Sequence, residues 1–212
     1  MEHISFIMYT NTLPGNTGAV LHKLSQLNIL QDFYLTGGTA LSLQIGHRKS
    51  QDLDFFSKKD FQPEKLQREL EKLSNIEDVE LSLGTLNCFF GRVKLQFFHY
   101  PYPLLEENIS WENIQISSKL DIACTKLITV SARGSKKDFI DIYFLLKKYP
   151  LPTLFEKLAL KYANSDYNEA HILKSLVYFD DADTQPIPRM LEDVSWESVK
   201  EEIIQTVKDF KI

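Results

Sequence analysis

Cysteine is scarce in this chain of 212 residues: Cys88 and Cys124 are the only two, and neither belongs to a CxxC pair. That excludes a disulfide framework and a thiolate zinc site, and it predicts reduced thiols in a cytoplasmic protein. No apolar run approaches the roughly 20 residues of a membrane-spanning helix, so no membrane contact is expected. The start, MEHISFIMYTNTLP, lacks a basic n-region and has only a brief apolar run, which argues against a secretory signal. Positive charge is not in excess either. A net charge of −5 gives no global attraction to nucleic acid, so a polyanionic partner would need a local basic patch. Lys58-Lys59, Lys136-Lys137 and Lys147-Lys148 could seed one, although a solvated surface accounts for each doublet alone. Repeats and low-complexity stretches are missing, as are the phosphate-binding spacings GxxxxGK[ST] and GxGxxG, which cannot be drawn through Gly37, Gly38 and Gly46.

What is there is an ordinary globular composition, 43% hydrophobic and 25% charged, in a chain long enough for one large domain or two small ones. Hydrophobic patterning predicts a helix over Thr17 to Ile29, a strand Phe33 to Thr36, a short helix Thr39 to Gln44 and a strand Asp52 to Phe56. Pro63 opens a charged helix at its first turn. Strands follow at Val79 to Leu83 and Val93 to Phe98, with an edge strand between them, until YPYP at Tyr100 to Pro103 stops the ladder. From Ser117 the pattern is helical: Ser118 to Ala132, Lys137 to Lys148, Pro152 to Tyr162, Glu169 to Tyr178 and Ser195 to Phe210, with a loop over Phe179 to Pro188. The fold class read from this order is α+β: a small mixed β-sheet core with flanking helices over residues 1–112, then a helical half over residues 113–212.

The chemistry concentrates in FYLTGGTALSLQIGHRKSQDLDFFS, Phe33 to Ser57. On a strand Asp52 and Asp54 share one face while Leu53 and Phe55 take the other. Two carboxylates about 6 to 7 Å apart repel each other unless a cation lies between them, and oxygen donors of this kind suit Mg²⁺. A solvated strand end is the plain alternative. Gly37 and Gly38 close a β-type run and open a helical one, so backbone N–H groups there can face an anion; a tight turn needing glycine's freedom explains them equally. A phosphatase-type DxDx[TV] fits poorly, because Phe56 stands where Thr or Val is required.

Thirteen residues, Thr39 to Gln51, separate the Gly-Gly turn from Asp52. GGTALSLQIGHRKSQDLDFF resembles the core motif of the nucleotidyltransferase superfamily related to DNA polymerase β, and the wording GGTAL followed by HRxSxDLDFF is similar to the AbiEii/AbiGii toxin family. KLDIACTKLITVSARGSKKDFIDIYFLL, Lys119 to Leu146, extends the likeness through a K…R…KDxxDhxxL segment. The resemblance implies a nucleotidyltransferase core and the toxin of a bacterial toxin–antitoxin or phage-defence system, with a separately encoded antitoxin as partner and tRNA as a candidate acceptor.

Read from geometry, Lys119, Lys126 and Arg133 are heptad-spaced and on one helix would drift only about 20° per step, forming a basic row for phosphates or a solvated basic face. Lys137 and Asp141, four apart, could simply pair on the surface. The resemblance instead sets Lys126, Asp138 and Asp141 beside the nucleotide. Such enzymes usually bring a third carboxylate from a neighbouring strand, and in RVKLQFFHY that place falls to Gln96, which cannot act as a base near neutral pH.

The reading is therefore a Mg²⁺-dependent enzyme moving a nucleoside monophosphate from an NTP to an acceptor hydroxyl. Asp52 and Asp54 hold the metal, and Lys126, Asp138 and Asp141 complete the catalytic set. Gly37, Gly38, Thr39, Arg48, Ser50 and Lys126 bind the nucleotide, and either Asp138, Asp141 or Asp121 takes the acceptor's proton or the reaction proceeds without strong base assistance. The alternatives are a catalytically degenerate nucleotide- or protein-binding module of the same fold, favoured by Gln96, and a different phosphoryl transfer such as a kinase reaction.

Overall fold

The computed structural model describes residues 7–210, so the first six residues of the segment read against a secretory signal lie outside the described residues. The first helix, α1 (Gly15–Leu24), stops five residues short of the expected end; a 3₁₀ turn at Asn28–Asp32 completes the connection. Strand β1 (Tyr34–Thr36) leads directly into α2 (Gly37–Ile45), and β2 (Leu53–Ser57) returns antiparallel to β1 with Thr36 opposite Asp54. Helix α3 (Pro63–Glu71) carries its proline in the first turn, where the missing N–H costs nothing.

Strands β3 (Ile76–Ser82), β4 (Thr85–Phe90) and β5 (Val93–His99) form an antiparallel meander, and β5 then runs parallel to β2. The strand expected at an edge is β4, and it is internal. Leu86, Cys88 and Phe90 alternate into the core, whereas β3, of which only Ile76 is buried, takes the edge with Glu77, Asp78 and Glu80. Acids on an exposed edge discourage pairing with another chain.

A hairpin absent from the sequence reading, β6 (Ile109–Trp111) and β7 (Ile114–Ile116), completes a seven-stranded sheet of order β3-β4-β5-β2-β1-β7-β6. Its strands are three residues each, too short for a periodic signal. Its turn places Glu112 and Asn113 at φ 45° and 64°, the left-handed geometry of a two-residue hairpin loop. The division at residue 112 thus falls inside a hairpin whose second strand pairs parallel with β1.

The helical part comprises α4 (Lys119–Ala132), α5 (Lys136–Leu146), α6 (Leu151–Lys161), α7 (Glu169–Leu176) and α9 (Trp196–Asp209). Between them, the stretch read as a loop holds one short turn of helix, α8 (Asp180–Asp183). Ser118, Asn168 and Ser195 cap α4, α7 and α9, each side chain accepting a backbone N–H of the first turn. One core spans both parts: Leu35, Leu41, Leu53, Phe55, Phe97, Ile122, Leu127, Phe139 and Ile142 are all at most 1% exposed. Among the described residues no helix is long and apolar enough to cross a membrane, and Cys88 and Cys124 are both buried and unpaired.

Candidate active site

The alternation expected for β2 holds. Leu53 and Phe55 are buried beneath the sheet, while Asp52, Asp54 and Phe56 look the other way, onto a cavity of about 390 Å³ between the sheet and α4. The Gly-Gly turn forms one end of that cavity. Gly37 has φ +69°, and a Cβ there would land on the Asp54 carboxylate; at Gly38 it would land on the Arg48 guanidinium. The turn thus requires glycine twice, because backbone and charged groups approach more closely than a side chain permits.

Beside it, Ser50, Asp52 and Asp138 line the wall together with the cations Arg48, Lys126, Arg133 and Lys137. Thr39 does not reach the cavity. It is 1% exposed, donates to the Asp52 carbonyl and lies 2.8 Å from Ser50 Oγ, so its hydroxyl ties the two ends of the motif together instead of facing a ligand. Its expected contact with phosphate is corrected accordingly.

The second motif supplies a buried charge cluster. Asp141 is fully buried and accepts from Arg48 Nε at 2.7 Å and Arg48 Nη2 at 2.8 Å, in the two-pronged geometry suited to a guanidinium. His47 Nε2 lies 2.8 Å from the same carboxylate and Lys126 Nζ 2.7 Å. Lys126 reaches Asp138 at 2.5 Å, and Asp138 also accepts from the Ser135 hydroxyl that begins α5.

Burial opposes the Asp141 charge, but Arg48 and Lys126 outweigh it and hold that carboxyl well below the usual carboxylate range. Burial likewise opposes the charge of Asp138, where Lys126 prevails and lowers the pKa, and of Lys126, where Asp141 and Asp138 prevail and raise it. Asp54 stands apart: burial, only partly offset by Lys126, pushes its carboxyl up.

Several expectations change in this light. Lys119, Lys126 and Arg133 do not form a row. Lys126 is only 8% exposed and locked between two aspartates, Lys119 does not line the cavity, and Arg133 has left helical geometry at the end of α4 and contacts Asp138 at 3.5 Å. Lys137 does not pair with Asp141 but lies 3.6 Å from Asp52, because α5 turns Asp141 inward and Lys137 towards the cavity mouth. Asp121 is remote from the cavity: its carboxylate accepts from the backbone of Leu105 and Glu106 and pairs with buried Lys161 at 2.6 Å. Asp141 also lies behind the wall, not on it.

Gln96 is aligned with Asp54 across the parallel β2–β5 pair and does line the cavity. Its amide donates to Asn87 Oδ1 at 3.2 Å. Phe56, read from the sequence only as a mismatch to a phosphatase motif, and Phe98, given no site role there, form the far end of the same wall; the alternation that joins Asp54 to Phe56 and Gln96 to Phe98 was the signal for them.

Among the described residues no group of three or more His, Cys, Asp or Glu could hold a metal. Asp52 and Asp54 both line the cavity, and two carboxylates are a donor set with which Mg²⁺ is commonly held when substrate phosphates complete its shell.

Known proteins resemble this chain in sequence and in fold. A protein of Aquifex aeolicus (strain VF5) named uncharacterized protein aq_aa25 is 41% identical over 198 residues, covering 90% of this chain and 93% of that one. Among solved structures, MenT4, a nucleotidyltransferase toxin of Mycobacterium tuberculosis H37Rv, superposes with a TM-score of 0.52 at 15% identity over 93% of this chain and 87% of its own. JHP933 of Helicobacter pylori gives 0.51 at 18% identity over 90% and 87%. At such identities the two structures share the fold. The family model described as Nucleotidyl transferase AbiEii toxin, Type IV TA system, matches residues 19–211, and so the chain belongs to the AbiEii family of nucleotidyl transferase toxins.

Proposed function

We propose that this protein is a working Mg²⁺-dependent nucleotidyltransferase that moves a nucleoside monophosphate from an NTP to an acceptor hydroxyl, with tRNA as the acceptor. The observation that carries the reading is the meeting, in one cavity, of Asp52 and Asp54 with a glycine turn and four cations. Gly37, Gly38 and Ser50 offer backbone and hydroxyl donors to the terminal phosphates, and Arg133 and Lys137 at the mouth meet their charge. Asp52 and Asp54 would hold Mg²⁺, which supplies charge neutralisation at the transferred phosphoryl group. Arg48 and Lys126, fixed from behind by Asp141, present positive charge at the cavity wall without moving. Asp141 is thus a positioning residue, since each of its oxygens already accepts from two donors.

The acceptor oxygen forms a bond to the α-phosphorus as the bond to the β-phosphate oxygen breaks. Pyrophosphate leaves, and the hydroxyl proton passes to solvent. Asp138 is a poor proton acceptor because Lys126 depresses its pKa, and Gln96 is none at all. Transfer therefore rests on orientation and charge, without strong base assistance.

Family membership supports a toxin role with an antitoxin as partner, and the proposed role extends to phage defence. A cytoplasmic location fits two buried, unpaired cysteines. The test incubates pure protein with each labelled NTP, Mg²⁺ and total tRNA. Label should enter RNA with wild type and not with Asp52→Asn or Asp54→Asn. Binding of NTP without transfer to any RNA would favour the degenerate module that Gln96 beside Asp54 otherwise suggests.

A further inference from the structure

Resting on the reading of this cavity as an NTP site, we infer that its far end is a stacking surface for the nucleobase, with Phe98 and Phe56 as its floor and α4 as its roof. The cavity has direction. Asp52 to Phe56 spans about 13 Å along β2, and Ile122 to Arg133 about 16 Å along α4. At one end of both elements lie the cations and the Gly-Gly turn; at the other lie Phe56, Phe98, Ile122 and Thr125. A phosphate chain anchored at the first end projects its nucleoside towards the second.

Two phenylalanines stand at that far end. They are partners across the β2–β5 pair, their centroids 5.8 Å apart at an interplanar angle of 88°. Phe56 is backed by Tyr100, stacked at 4.2 Å and 30°, so the cavity side of the pair is braced from beneath. Phe98 has no ring neighbour except Phe56 among the described residues and remains half-buried in the cavity wall.

On the α4 side two hydroxyl protons are already engaged: Thr125 Oγ1 donates to the Asp121 carbonyl and Thr129 Oγ1 to the Thr125 carbonyl, both at 2.9 Å, so neither is free to donate to a base edge. One Gln96 N–H is given to Asn87. Such a slot recognises the face of a heteroaromatic ring more than its edge, as single-strand-binding surfaces do.

Calorimetric binding with Mg²⁺ tests this, comparing the tightest of the four NTPs with inorganic tripolyphosphate, which lacks base and sugar. Wild type should bind the NTP at least about fivefold more tightly than tripolyphosphate, and Phe98→Leu, which keeps apolar volume but removes the ring, should erase most of that ratio while leaving tripolyphosphate affinity unchanged. Phe98→Trp should restore the ratio and show emission quenching by NTP but not by tripolyphosphate. Equal wild-type affinities for the two ligands, or a ratio untouched by Phe98→Leu with no quenching at Trp, would overturn the stacking surface while the phosphate site stands. Failure of wild type to bind either ligand would remove the NTP reading and this inference with it.

Discussion

Replacing Asp141 with asparagine should cost this protein much of its stability, although the change keeps size and shape. In the wild type two cations, Arg48 and Lys126, face two carboxylates, Asp138 and Asp141, in an interior where all four are at most 8% exposed. Asp141→Asn leaves that cluster with one uncompensated positive charge. It also sets an NH₂ group against donors, whichever way the amide turns: His47 Nε2 and Arg48 Nε meet one oxygen, Arg48 Nη2 and Lys126 Nζ the other. Removing one partner from a buried ion pair costs about 3–5 kcal/mol, and in a chain of this size each kcal/mol lowers the midpoint by about 2–4 °C. Thermal unfolding followed by circular dichroism at pH 7 should therefore shift down by about 6–20 °C. The pH dependence has a definite sign. Because the native carboxyl lies well below its ordinary 3.8, the unfolded chain takes up the proton first as pH falls. The stabilisation is complete above 3.8 and is lost as pH drops towards the native value, so the gap between variant and wild type should narrow only below about pH 4. Lys147→Ala, whose ammonium lies over the Tyr143 and Phe144 rings, is the surface control and should change stability by no more than about 1 kcal/mol. An Asp141→Asn midpoint within about 2 °C of wild type would refute the account of Asp141 as the charge that holds Arg48 and Lys126 in place.

Three further outcomes follow from the same geometry. Asp54→Asn should abolish transfer yet hold or raise the metal-free midpoint, since burial already disfavours the Asp54 charge; calorimetry with and without Mg²⁺-NTP checks this, and a lowered metal-free midpoint contradicts it. Gly37→Ala, at φ +69° and against the Asp54 carboxylate, should destabilise by about 1–3 kcal/mol and weaken NTP binding. Gly18→Ala, within α1 and meeting only Leu13 Cδ1 at 4.0 Å, should be neutral or stabilising in the same melts, and equal losses would show that the turn imposes no special demand. Gln96→Glu adds a carboxylate beside Asp54, so the metal-free midpoint should fall and Mg²⁺ affinity should rise; titration calorimetry that finds unchanged Mg²⁺ affinity would separate Gln96 from the metal position.

The sequence by itself determined the local features. Periodicity set most helices to within a few residues, alternation put Asp52 and Asp54 on the face opposite Leu53 and Phe55, and the spacing from Gly-Gly to the aspartates pointed to the site. Each of these depends on neighbours along one chain segment, where the backbone repeat alone decides which side a residue takes. What required the tertiary structure was every contact between segments. The three-residue strands of the β6–β7 hairpin have no periodic signal and exist because β1 offers them an edge. Thr39 reads as a phosphate donor until β2 brings the Asp52 carbonyl against it. Lys126 reads as one step in a basic row, and Asp141 as a surface partner of Lys137, until α4 and α5 pack and Arg48 arrives from 93 residues away to claim the carboxylate. A charge's role is set by which opposite charge shares its low-dielectric surroundings, and that is fixed by packing between segments, to which sequence spacing is blind.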